Sequence, residues 1–423
     1  MKEEFLHYIW QFQLLNPIEL TTNAGDAIQV IKTGEKNINS GPDFFSGQIK
    51  IGKTIWAGNI EIHINSSDWN KHKHQDDSAY DNVILHVVFN HDTDVFTSKN
   101  RKIQVLELAN LVNETLFEKY QSLVSEKRKI PCQHFLPTID GFTLRNWQDR
   151  LVVERLERKA DEIVNSLEET GNDWEETFFR LLAKNFGFKV NALPFELVAK
   201  SLPYKYLKKH NDNLFQLEAL LLGQAGYLET NLVDDYPMSL QKEYCFLKTK
   251  YNLKPIENHL WKMLRLRPSN FPTIRLVQFA KLIHGSAYLF SNCVESSSLM
   301  EVRKLLDVHL SGYWENHFQL DKPSFIRSKT LGELSVNVLI INTIVPLMFQ
   351  FGKRKNKPER MEKAVEFLHE IKEEKNSIIA LWESNGIKVE SAFVSQAMLE
   401  LKNEYCDKVR CLDCALGNKI LRD

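Results

Sequence analysis

The chain has almost no excess charge. Its 54 lysines and arginines face 55 aspartates and glutamates, a formal net charge of −1. That excludes a globally basic nucleic-acid binder but not a local basic cleft, because fields depend on where the charges sit. Cysteine is sparse. Six in 423 residues do not make a secreted disulfide scaffold in a chain of this length. Long apolar runs are lacking too. The most apolar, VNVLIINTIVPLMFQF, is interrupted by Asn337, Asn342, Thr343 and Pro346. It is shorter than a bilayer span needs, so it reads as a buried helix. The N-terminal MKEEFLHYIWQFQLL is acidic near its start and lacks a signal-peptide pattern. A soluble, cytoplasmic protein with no membrane partner is expected. No repeat recurs at one fixed period, which argues against a regular solenoid.

What is present is an ordinary globular composition, 43% apolar and 26% charged, over a length that suggests about two to three domains. Five of the 17 glycines lie between Gly34 and Gly58 and none between residues 59 and 140. That concentration marks turns and close backbone approaches. Phe5, Ile9 and Phe12 fall at helical spacing. AIQVIKTG reads as a short strand, FFSGQIKI and TIWAGNIEIHI as a hairpin, and NVILHVVF as a buried strand. SSDWNKHKHQDDSAYD, between two strands, suits a short helix from Ser67 or a polar loop. From about 140 the pattern becomes helix after helix, beginning with the amphipathic LRNWQDRLVVERLERKADEIVNSL. The expected organisation is a small N-terminal mixed-sheet α/β domain over 1–130 and a large all-α domain over 140–405. A cysteine-bearing tail over 406–423 follows, and the basic, proline-containing KRKIPCQHFLPTIDG at 127–141 reads as a linker.

The hairpin GPDFFSGQIKIGKTIWAGNIEIHI carries the first candidate site. Side chains alternate along a strand, so Glu61 and His63 share one face while Ile60, Ile62 and Ile64 share the other. Asp43 stands at the mouth of the first strand. Asp43 and Glu61 are nearly equidistant from the Gly52-Lys53 turn, so the hairpin can bring the two carboxylates together on one side of the sheet. Two carboxylates with open positions suit magnesium or manganese. Equally, on spacing alone, Asp43 caps a turn and Glu61 is a solvated strand residue.

Helix, strand, strand with Pro42-Asp43, strand with Glu61-Ile62-His63, helix, strand is similar to the core of the PD-(D/E)XK nuclease superfamily. The resemblance covers residues 1 to about 90. It implies a restriction-endonuclease-like fold and metal-dependent phosphodiester hydrolysis, with Asp43 and Glu61 as metal ligands and an acid from the first helix, Glu3 or Glu4. The departure is His63, which stands where the motif has lysine, with Lys50 or Lys53 as substitutes for that charge. The whole chain also resembles an uncharacterised bacterial family known only as a domain of unknown function, through GPDF, the GNIEIH and SDW segments, YDNVILHVV and the C-terminal cysteines.

Five of 13 histidines lie between residues 63 and 91. His63, His72, His74, His86 and His91 are interspersed with Asp68, Asp76, Asp77 and Asp81, the residue types of metal sites and proton carriers. His72 or His74 can assist proton transfer. His86, inside an apolar strand, reads as a core histidine with a backbone partner. At the other end, Cys406, Cys411 and Cys414 follow the spacing C-x4-C-x2-C. Three thiols this close point to metal, an iron–sulfur cluster or zinc. Cys132 is the expected fourth ligand and His134 the substitute.

The expected function is therefore metal-dependent phosphodiester hydrolysis on nucleic acid, DNA or RNA, with magnesium or manganese at Asp43 and Glu61. His63, His72 and His74 complete the site. The rivals are a catalytically inactive nuclease-like binding or assembly module and a zinc or iron hydrolase built on His63, His72, His74 and His86. The helical domain offers a surface for a protein partner. Basic runs at 125–131, 265–275 and 351–360, with Arg145, Arg150, Arg155, Arg158 and Lys159, are phosphate-binding candidates if they converge and solvated surface if they do not.

Overall fold

A computed structural model describes residues 1–423 except Pro17, Glu126, Lys127 and Ala287. Two residues of the basic run at 125–131 thus lie outside the described residues. The chain divides into two compact units. One comprises Met1–Trp147 with Leu401–Asp423, the other Gln148–Glu400. The cysteine-bearing tail belongs to the first.

The first unit opens with α1 (Glu3–Phe12), which buries Phe5, Leu6, Tyr8, Ile9 and Trp10. Glu3 and Glu4 in its first turn complement the helix dipole, and Gln13 ends it in a left-handed conformation. Seven strands follow: β1 (Leu20–Thr21), β2 (Ala27–Lys32), β3 (Glu35–Lys36), β4 (Phe44–Ile51), β5 (Thr54–Asn65), β6 (Val83–Asn90) and β7 (Gln104–Glu107). They form one mixed sheet in the order β1-β2-β4-β5-β6-β7, with β3 also on β4. The pairs as far as β5 are antiparallel, whereas β5-β6 and β6-β7 are parallel. β6 is an almost unbroken apolar run because it is buried between two parallel neighbours.

One face of the sheet forms the main core, with Leu6 and Trp10 of α1 packed among Phe44, Ile49, Ile60, Ile62 and Val87. A smaller core of Trp69, Tyr80, Val83, Val95 and Ile103 lies beside it. The segment after β5 is both of the things its sequence suits. α2 (Asp68–Lys71) lasts a single turn, and two 3-10 turns follow at His74–Asp76 and Ser78–Tyr80. α3 (Glu114–Ser125) stacks Tyr120 on Phe5 at 4.2 Å.

The long helix α4 (Gly141–Glu169) contains the division into units. The second unit is mostly helical and carries a small hairpin, His317–Gln319 with Lys322–Pro323. Its apolar run lies in a continuous helix, Glu333–Lys355, longer than the sequence suggests because the pattern extends through polar flanks. By length and composition this helix is able to cross a membrane, but 72% of its most apolar window is buried inside the protein. It is a core helix. Four basic residues of this unit bond within it. Arg155 and Arg158 pair with Glu400 at 3.0 and 2.6 Å. Lys159 donates to Asn342, and buried Arg275 donates to Gln278, Asn270 and Ser335.

Candidate metal centre

The site begins with a register. β4 and β5 are joined at Gly52-Lys53, with Ile51 opposite Thr54 and Gly52 at φ 57°, a two-residue turn that favours glycine. Gly47 stands opposite Gly58, yet Phe44 stands opposite Ile60. One residue is therefore extra on β4, where Ser46 adopts φ 57°. This bulge decides the geometry. Without it Asp43 would stand beside Ile62, on the wrong face. With it, Asp43 stands beside Glu61. The Asp43 N–H donates to Glu61 Oε2 at 3.1 Å, and the Ile62 N–H donates to Asp43 Oδ2 at 2.9 Å.

Imidazoles gather on the same carboxylates. Glu61 Oε1 lies 3.6 Å from His63 Nε2 and 3.3 Å from His74 Nε2. His63 Nε2 is 3.1 Å from His72 Nδ1. One ligand atom from each of His63, His72 and His74 falls within 4.8 Å of the others. His72 and His74 reach one target because Lys73, between them, takes a left-handed conformation, φ 62°, and turns the chain back after α2. The loop is anchored below by Ser66, whose Oγ accepts from the N–H groups of Asp92 and Thr93 at 2.9 and 3.0 Å. Trp69, fully buried, flanks His74 and His86, and Tyr80 stacks on His74 at 3.8 Å.

His86 is a core histidine, but its partner is not backbone. Its Nε2 lies 2.8 Å from His63 Nδ1, which orients the His63 ring and leaves Nε2 facing the carboxylates. His91 is elsewhere, against Ser66 and Asn23. Lys50 and Lys53 sit exposed toward the turn. Lys50 stands six positions along the strand from Phe44, about 20 Å, so neither replaces the missing lysine. Of the two acids of α1, Glu3 feels the charges of Asp43 and His72, whereas Glu4 is exposed. The residue that sequence reasoning missed is His7. Its Nε2 is 3.3 Å from Asp43 Oδ2. The available signal was Glu3-x3-His7, a spacing that places both on one helix face.

The electrostatics are those of crowded donors. Burial, then the charge of Asp43, raises the Glu61 carboxyl far above the ordinary range. Burial and the neighbouring imidazoles lower His63 and His86 to about 3, and burial lowers His74. These rings are neutral at pH 7, as ligands must be. His74 Nε2 and His7 Nε2 are buried, close to a carboxylate, and not aligned to hydrogen bond with it. Such orphaned nitrogens beside carboxylate oxygens fit a divalent ion.

Four further expected ligands lie apart. Cys132, Cys406, Cys411 and Cys414 line one pocket within the first unit, without His134, which is exposed.

A family model for proteins of unknown function matches residues 3–377. The chain belongs to this family, DUF2851. The matched span takes in the hairpin, every histidine of the site and Cys132, and ends before Cys406, Cys411 and Cys414. No curated protein and no solved structure matches this DUF2851 chain.

Proposed function

We propose that the first unit is a metal-dependent hydrolase of phosphodiester bonds in nucleic acid. The observation that carries this reading is the pairing of Asp43 with Glu61 amid the converging imidazoles of His63, His72 and His74. The order α1, β2, β4 with Pro42-Asp43, β5 with Glu61-x-His63, a short helix and the parallel β6 supports the nuclease resemblance, although α2 is only one turn. Two rival readings merge here, since the acids of one and the histidines of the other belong to a single cluster.

Glu61, His63 and His74 would hold the ion, with Asp43, His72 and His7 beside it. The imidazoles shift the expected ion from magnesium toward manganese, zinc or iron. A bound ion supplies hydroxide at neutral pH and charge stabilisation for a phosphoryl group. His63, neutral and fixed by His86, serves as a ligand and not as the point charge a lysine gives. His72, exposed on its loop and joined to His63, is placed to carry a proton between site and solvent.

The test is cleavage of labelled single- and double-stranded DNA and RNA with magnesium, manganese or zinc, beside Glu61→Gln. Metal-dependent cleavage that falls about 100-fold or more in the variant is expected. Absence of cleavage, or equal cleavage by both proteins, overturns the reading. Binding of nucleic acid without cleavage would instead favour the inactive binding module, to which the replacement of lysine by His63 already points.

A further inference from the structure

Four of the six cysteines line one pocket, with Tyr405 and Leu416 among its walls. Cys132 is far in sequence from Cys406, Cys411 and Cys414, and none forms a disulfide. Cys132, Cys411 and Cys414 are buried, and Cys406 is half-buried. A lone buried thiol is simply a small apolar side chain. Four on one pocket, in a chain with so few, call for a common cause.

The surroundings are built for thiolates. Cys414 is the N-terminal cap residue of the C-terminal helix (Ala415–Arg422). N–H donors at a helix start favour negative sulfur. Gly417 is needed there, because a Cβ would meet the Cys411 carbonyl oxygen at 2.1 Å. Metal binding to buried thiols displaces their protons.

We propose that Cys132, Cys406, Cys411 and Cys414 hold one thiolate-bound metal centre, a zinc ion or an iron–sulfur cluster, that clamps the C-terminal segment onto the first unit. The clamp is tied to the neighbouring helix. From the C-terminal helix, Arg422 lies over the Phe12 ring at 4.1 Å. Phe12 belongs to α1, the helix that carries Glu3 and His7. The proposal stands independently of the hydrolase reading.

The full chain would be purified without oxygen or added chelator and assayed for zinc, iron and acid-labile sulfide. X-ray absorption at the edge of the metal found would then report its neighbours. About one centre per chain with a sulfur shell is expected, since four thiolates complete such a site. Iron with sulfide identifies a cluster, and zinc identifies a single ion. Cys411→Ser or Cys414→Ser should lose at least about tenfold of that metal, whereas Cys245→Ser, at an exposed site in the other unit, should keep it. Overturning results are a protein that takes up neither zinc nor iron with sulfide on reconstitution, or a wild-type metal whose shell holds only nitrogen and oxygen. The absorption measurement needs no variant, so misfolding of a serine mutant cannot obscure the answer.

Discussion

A buried carboxyl responds to what surrounds it, and two glutamates show the range. Glu61 is crowded by Asp43 and by imidazoles. Glu218, in the other unit, accepts from Trp314 Nε1 and the Tyr236 hydroxyl, each at 2.8 Å. Burial still wins over those two donors and raises Glu218 from 4.5 to about 7. A folded-state value above the unfolded one gives stability that is complete below about pH 4.5 and declines as pH rises through about 7. Glu218→Gln keeps an acceptor for both donors and carries no charge. We expect its thermal melting to exceed wild type above pH 7, by on the order of 2 kcal/mol, and to converge with it near pH 5. A constant difference across that range would count against the burial of an ionising group. At this scale the sequence showed the residue types of the hairpin site well, because acids and histidines clustered in 29 residues are visible as letters. It did not show His7, since one histidine on an amphipathic helix looks like any surface residue, nor the partner of His86.

At the scale of elements, the hairpin and the apolar parallel strand were legible from alternation and from glycine. The bulge at Ser46 was not, because nothing in a serine demands φ > 0, and the register depends on it. Gly58 is the other hidden constraint. A Cβ there would meet the Asn82 carbonyl and Ile84 Cγ2, each at 2.5 Å, where β5 and β6 come together. That same carbonyl accepts from the Asn59 N–H at 2.8 Å, so it cannot retreat freely. Gly58→Ala should lower stability by about 1–3 kcal/mol, read as a shift in urea midpoint. Gly52→Asn, in open space at a turn where asparagine accepts positive φ, should change it by less than about 1 kcal/mol. Equal losses would mean that strand packing at Gly58 is not the constraint.

At the scale of the molecule, the tail is part of the first unit and not an appendage. Leu401, Tyr405, Leu416, Ile420 and Leu421 are all buried, each contributing roughly 1.5–3 kcal/mol if fully removed from water. A chain ending at Glu400 should therefore lose the cooperative melting of the unit that bears the hairpin while the helical unit keeps its own transition. Calorimetry of the two chains checks this, and an unchanged profile would show that the tail adds nothing to that core. Periodicity cannot reveal such a closure, because contacts between residues hundreds of positions apart leave no local pattern.

The sequence by itself determined the mixed sheet followed by helices, the facing of Glu61 and His63, and the inventory of possible ligands. Those follow from side-chain alternation, apolar spacing and composition, which act over a few residues. Tertiary structure alone decided that Asp43 meets Glu61, that His7 joins the acids and His86 the histidines, that Arg155 and Arg158 of α4 pair with Glu400, and that Cys132 shares a pocket with the tail. Each of these depends on one residue of register or on closure of a long loop, where packing free energy, and not local preference, selects the neighbour.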